Sequence, residues 1–83
     1  MAEKEIGTVT NYFSRIGVAI LALNAPLQLG DKIRIKGGDR DFEQTVESMQ
    51  VEHQPIESAQ AGQEIALKVD QKVRANDIVY KIV

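Results

Sequence analysis

The chain has 83 residues, with 10 Lys and Arg against 12 Asp and Glu, so its formal net charge is −2. This length allows one domain, covering residues 1–83, with one small core. The absence of Cys excludes disulfides and thiolate metal sites. Residues 1–5 lack the apolar segment of a signal peptide, and the longest apolar run, residues 16–23, is too short for a membrane span. We therefore expect a cytoplasmic domain without membrane contact, with residues 1–4 disordered.

Apolar residues recur with a period of two along much of the chain, which is typical of strands with one buried face. Residues 5–13 are rich in Thr, Val and aromatic side chains and predict the first strand. Residues 16–23 are apolar on both parities and predict a strand that is buried on both faces. Alternation predicts three further strands, at residues 32–36, 64–69 and 78–82.

The segment of residues 42–51 breaks its own alternation. Its apolar side chains fall on even positions as far as Val46 and on odd positions from Met49. A continuous strand cannot turn both sets inward, because a shift of one residue reverses the face of every side chain. One inserted residue near Glu47 and Ser48 would restore the pattern, which predicts a β-bulge in this fourth strand.

Turn signals separate the predicted strands. Gly37 and Gly38 predict a tight hairpin between the third and fourth strands. Residues 54–62 form the longest connection, in which Pro55 is expected to open a single helical turn that Gly62 closes. Six strands without a long helix predict an all-β fold, a single six-stranded antiparallel β-barrel.

The sequence holds no recognisable catalytic constellation. His53 is the single histidine, and its three serines stand outside any Gly-x-Ser-x-Gly motif. The pair Gly37 and Gly38 joins two predicted strands and is not followed by Lys and Ser or Thr, so it is not a phosphate-binding loop. We predict a non-enzymatic domain with no cofactor, metal or nucleotide, in which His53 is a partly exposed residue at a strand end.

Lys32, Arg34 and Lys36 project from one face of the third predicted strand. Such a row can contact phosphates, or it can be a solvated face that guards a strand edge. The acidic total charge disfavours a general nucleic-acid coat. Both interpretations of the row stay open on composition alone.

The order of several motifs adds a family resemblance. Residues 6–10 read Ile-Gly-Thr-Val-Thr, residues 27–35 read Leu-Gln-Leu-Gly-Asp-Lys-Ile-Arg-Ile, and residues 61–67 read Ala-Gly-Gln-Glu-Ile-Ala-Leu. This ordered set resembles the second domain of translation factors of the elongation-factor Tu type, from about residue 5 to residue 83. The resemblance implies a Greek-key barrel, here without the GTPase domain, and the partners expected from it are tRNA, the ribosome or a larger translation or tRNA-modifying protein.

The resemblance also selects residues. Gln50 and His53 stand where that family borders its aminoacyl-tRNA pocket. Together with Lys32, Arg34 and Lys36 they are the predicted contacts of a translation-factor-like module that binds RNA or a ribonucleoprotein. Similar barrels also occur at the C-terminus of a collagenase-like peptidase family linked to tRNA modification. The alternative is therefore a protein-interaction accessory subunit of a larger enzyme of that kind.

Overall fold

A computed structural model describes residues 2–83, which form ten β-strands and no helix. Eight strands make one antiparallel sheet in the order β5-β4-β10-β1-β2-β9-β6-β7, and β3 pairs with β8 in a second sheet. The predicted all-β class is confirmed. The strands are β1 (Glu3–Phe13), β2 (Val18–Leu23), β3 (Leu27–Gln28), β4 (Lys32–Gly37), β5 (Arg40–Thr45), β6 (Met49–Val51), β7 (Gln54–Ile56), β8 (Ser58–Ala59), β9 (Glu64–Lys68) and β10 (Ile78–Ile82).

One apolar core lies on the inner face of the eight-stranded sheet. Side chains of alternate residues point inward, as Ile33 and Ile35 do in β4 and Ile65 and Leu67 do in β9, and all four are buried. The β3–β8 pair adds Leu27 to the same cluster. The alternation that predicted the strands therefore also selects the residues of the core.

The predicted closed six-stranded barrel is not confirmed, because the eight-stranded sheet ends at β5 and β7 without a ladder between them. On the β5 side, the buried side chain of Gln44 spans the opening. Its Nε2 donates to the carbonyl of Lys68 at 2.9 Å, and its Oε1 accepts from the N–H of Asp70 at 2.8 Å. A side-chain amide thus makes two of the hydrogen bonds that a closing strand pair would supply.

The predicted β-bulge near Glu47 and Ser48 is wrong, because the strand stops there instead. β5 ends at Thr45 and pairs with β4, whereas β6 begins at Met49 and pairs with β9 and β7. The three-residue break lets both Val46 and Met49 enter the core despite their opposite parity. The register shifts of the sheet lie in β1 instead, where this long strand pairs with both β10 and β2.

The connection of residues 54–62 also differs from the prediction, since β7 and β8 replace the expected helical turn. Pro55 lies in β7 at the edge of the sheet, where its missing N–H removes no ladder hydrogen bond. The predicted hairpin at Gly38 is confirmed: the β4–β5 ladder runs up to the pair Gly37 and Arg40, and Gly38 has a φ of 50°.

The chain ends pair with each other. Glu3 and Lys4, which we expected to be disordered, belong to β1, and Ala2 exchanges backbone hydrogen bonds with Val83. Met1 lies outside the described residues. Within residues 2–83, no helix has the length and apolarity that a membrane crossing requires.

Candidate functional site

An open groove crosses the outer face of β1, β2, β9 and β6. Its floor is a row of side chains from four adjacent strands: Asn11 is paired with Ile20, Ile20 with Ala66, and Ala66 with Gln50. Ala66 has the smallest of these side chains, so the surface dips between Ile20 and Gln50. The groove is therefore a consequence of cross-strand register together with one small residue.

The ends of the groove are formed by larger groups. Phe13, at the end of β1, lines it with a side chain that is 45% exposed. The β6–β7 turn supplies Glu52 and His53, whose φ angles of 51° and 65° lie in the left-handed region. Two consecutive positive φ angles are what a two-residue hairpin turn requires to match the twist of its strands. The turn holds His53 beside the groove, as part of the same hairpin that carries Gln50.

The groove carries two negative charges. Glu52 and Glu64 line it, and no Lys or Arg among residues 2–83 does. Glu64 Oε2 accepts a hydrogen bond from the Thr10 hydroxyl at 3.3 Å, and within residues 2–83 neither carboxylate forms a salt bridge. The local field therefore favours cations and opposes phosphate.

Lys32 and Lys36 lie on β4, which is separated from β6 by four strands of the sheet. Lys32 Nζ is 3.3 Å from a carboxylate oxygen of Glu43. Lys36 Nζ is 3.6 Å from Glu3 and 5.2 Å from the centre of the Tyr80 ring. Both cations thus have partners within the sheet, and neither reaches the groove.

Arg34 lies between these two lysines on β4 and links β4 to β5 and β1. Its guanidinium bonds to both carboxylate oxygens of Asp41 and to Glu3, all at 2.6 Å. The hydrogen bonds with Asp41 and Glu3 raise the pKa of Arg34 above its ordinary value, and those with Arg34 lower the pKa of each carboxyl group. The basic row predicted from the sequence is therefore an ion-pair network.

The structure places two of the five predicted site residues, Gln50 and His53, in one groove and leaves Lys32, Arg34 and Lys36 elsewhere. Reasoning from the sequence missed the other lining residues because they come from distant segments. Within residues 2–83, no three His, Cys, Asp or Glu side chains approach closely enough to hold a metal ion.

No protein-family model matches the chain. Among curated proteins, it is 38% identical over 77 residues to an uncharacterized protease of Methanocaldococcus jannaschii, covering 92% of this chain and 19% of that protein. It is also 38% identical over 78 residues to a collagenase of Porphyromonas gingivalis, covering 92% of this chain and 22% of the collagenase. The chain spans about a fifth of the length of these relatives.

Among solved structures, the chain matches the C-terminal domain of a Geobacillus thermoleovorans protein described as a U32 peptidase, with a TM-score of 0.89 and 20% identity. The match covers 96% of this chain and 93% of that domain. A selenomethionine variant of the same domain matches with a TM-score of 0.87. At this identity the likeness shows the fold alone.

These comparisons correct the sequence-based resemblance. The relatives are a protease and collagenases, so the assignment to translation factors of the elongation-factor Tu type is wrong. The RNA-binding role that this assignment implied is wrong as well. The motifs behind the resemblance mark backbone geometry: Gly30 and Gly62 have φ angles of 91° and 89° in turns that precede strands. Small β domains of different function share such turns, so the motifs report fold and not activity. The protein is a small all-β domain similar to one part of proteins named as proteases and collagenases.

Proposed function

We propose that this chain is a non-catalytic accessory domain that acts together with a peptidase-like catalytic region. The observation that carries the proposal is the form of the match: 38% identity extends over 92% of this chain but over only 19% to 22% of the relatives. A segment that is similar over 92% of its length to a minor part of a larger enzyme is best explained as one of its modules. The fold likeness to a C-terminal domain supports the same interpretation.

The chemistry of the groove supports a binding role. Hydrolysis by a hydroxyl nucleophile needs a base in hydrogen-bond contact with that hydroxyl. The Thr10 hydroxyl instead has two acceptors for its single proton, the carbonyl of Ile20 and Glu64 Oε2, each at 3.3 Å. Within residues 2–83 no hydrogen bond joins His53 to a hydroxyl or carboxylate. The proposal makes Gln50 and His53 contacts of a bound partner and leaves Lys32, Arg34 and Lys36 to the ion pairs of the sheet.

A domain replacement in the Porphyromonas gingivalis collagenase tests the accessory role. We would compare three proteins: the intact enzyme, a deletion of the 78-residue matching segment, and a chimera in which this chain replaces that segment. We expect the deletion to lose collagen cleavage and the chimera to regain it, because a module of the same fold restores the missing contacts. The readout is the initial rate of collagen cleavage.

Circular dichroism of each protein checks that it is folded. A folded chimera that is as inactive as the deletion would overturn the proposal. Collagen or peptide cleavage by the isolated chain would overturn its non-catalytic part.

A further inference from the structure

The outer face of the sheet carries more exposed apolar surface than the groove alone. Beside the groove lies a second hollow, and the two share Gln50 and Ala66. Ile16 lines that hollow from the β1–β2 turn and is 64% exposed, Val18 lines it from β2, and the exposed Lys68 lines it from β9. With Phe13 and Ile20, the side chains of Ile16 and Val18 form an apolar strip beside the groove. Contiguous exposed apolar side chains are one feature of interaction sites.

Glu52 and Glu64 belong to the seven acidic side chains that form no salt bridge within residues 2–83. Five acidic side chains elsewhere are paired with Lys or Arg within 4 Å, whereas Glu52 and Glu64 have no such partner in residues 2–83. The five paired residues are Glu3, Asp31, Asp41, Glu43 and Asp77. The groove thus combines two apolar side chains, Ile20 and Ala66, and two amides, Asn11 and Gln50, with two carboxylates that form no salt bridge within residues 2–83, while Lys68 lines the adjoining hollow.

From this combination we infer that the groove binds an extended polypeptide segment in which Lys or Arg stands between aliphatic residues. The methylene stem of such a cation packs on Phe13 and Ile20, and its charged end meets Glu52 and Glu64. The inference rests on the proposed function, since an accessory domain of a peptidase-like protein meets polypeptide, and it specifies the chemistry of the segment.

Gln50 supplies the polar contact that an extended segment needs. Its side chain lies on the outer face of β6, opposite Ala66, and makes no hydrogen bond within residues 2–83. An amide both donates and accepts, so it can pair with a peptide unit of the bound segment. RNA would place its phosphates beside two carboxylates, and the repulsion between these negative charges disfavours RNA as the partner.

A labelled peptide tests the inference on the full chain. The probe is fluorescein-labelled Gly-Ser-Val-Lys-Leu-Arg-Val-Ser-Gly, and the control peptide has Glu in place of Lys and Arg. We expect fluorescence anisotropy to show binding of the basic peptide only, weakened by added NaCl. Glu64→Gln and Glu52→Gln should each weaken binding about threefold, and both together about tenfold.

Two further variants separate the groove from the rest of the surface. Ala66→Leu fills the dip and should weaken binding by more than about tenfold, because the peptide loses its place on the floor. Glu57→Gln, a carboxamide change away from the groove, should leave binding unchanged. Circular dichroism confirms that each variant is folded.

Equal binding of the basic and acidic peptides, or binding that Ala66→Leu and the Glu variants leave unchanged, would overturn the inference. So would binding of a labelled oligouridine that the basic peptide displaces, which would assign the groove to RNA. Because the collagenase chimera reports on the accessory role and the peptide reports on the groove, failure of either one is distinguishable from failure of the other.

Discussion

Asp77 joins the β4–β5 hairpin to the turn before β10. Its carboxylate is buried and accepts two hydrogen bonds from Arg40, at 2.8 and 2.9 Å, and one from the backbone N–H of Arg74, at 3.0 Å. Gly37 makes room for it, since a Cβ at that position would collide with the carboxylate. The β4–β5 hairpin, which carries Arg40, is thereby tied to the turn before β10.

Because of the Asp77 carboxylate, we expect the free energy of unfolding to fall in acid. The bonds from Arg40, and secondarily from Arg74, lower the pKa of Asp77, so the folded chain binds its proton less readily than the unfolded chain. The stabilisation is complete above the ordinary Asp pKa of about 3.9 and is lost as the pH falls through the lower value of the folded state. We expect Asp77→Asn to reduce the free energy of unfolding at neutral pH by about 1–3 kcal/mol and to flatten its decline below about pH 4.

Urea denaturation at a series of pH values measures both effects. The matched control is Asp70→Asn, at an exposed position, which should retain the steep decline of the parent. A variant at Asp77 with the same pH profile as the parent would show that this carboxylate does not govern acid unfolding.

At the scale of elements, the gap beside β5 is bridged by Gln44, whose amide uses both its donor and its acceptor. Gln44→Leu would keep the volume roughly but leave the Lys68 carbonyl and the Asp70 N–H without partners. We expect a loss of about 2 kcal/mol in the free energy of unfolding, because two hydrogen bonds of a buried side chain are removed. Amide hydrogen exchange at Asp70 should also become faster, since the bond that protects it is gone.

Gln50→Leu is the matched control for this prediction, because Gln50 carries the same side chain on the exposed outer face. It should change the free energy of unfolding by no more than about 0.5 kcal/mol. Equal stability of Gln44→Leu and the parent would mean that the ladder strands alone hold this side of the sheet.

At the scale of the whole molecule, the acidic groove and the ion-pair network of β4 are built on opposite parts of one sheet and share one core. Leu21, in β2, lies fully buried beneath the groove side. We expect Leu21→Ala to reduce the free energy of unfolding by about 2–5 kcal/mol through the cavity that it leaves. Unfolding should remain a single transition, because no second core exists among the described residues to sustain half of the sheet.

Denaturation followed by nuclear magnetic resonance can check this, with resonances from β4 and from β6 compared at each urea concentration. Leu29→Ala, at a position that is 40% exposed, is the control and should have a small effect. Loss of the β6 signals well before the β4 signals would contradict a single cooperative unit.

Much of the secondary structure was predictable, because alternation and turn residues are local properties. The segments around Ile33, Ile65 and Val79 form strands where the period of two places them. The break after Thr45 was visible as a change of parity, but parity alone does not distinguish a bulge from a strand that ends and pairs elsewhere. Short β7 and β8 were missed because two or three residues carry too little pattern.

The amino-acid sequence by itself determined that this protein is an all-β domain and where its Gly38 hairpin turns, since each depends on neighbours along the chain. The prediction that residues 16–23 are buried on both faces is wrong, because β2 begins at Val18, buries alternate side chains and leaves Ile16 64% exposed. Only the tertiary structure forms the groove, because it brings Asn11, Ile20, Ala66 and Gln50 from four strands into one row. It also decided that Lys32, Arg34 and Lys36 are paired with carboxylates. Register between distant strands sets both arrangements, and a local pattern does not contain that register.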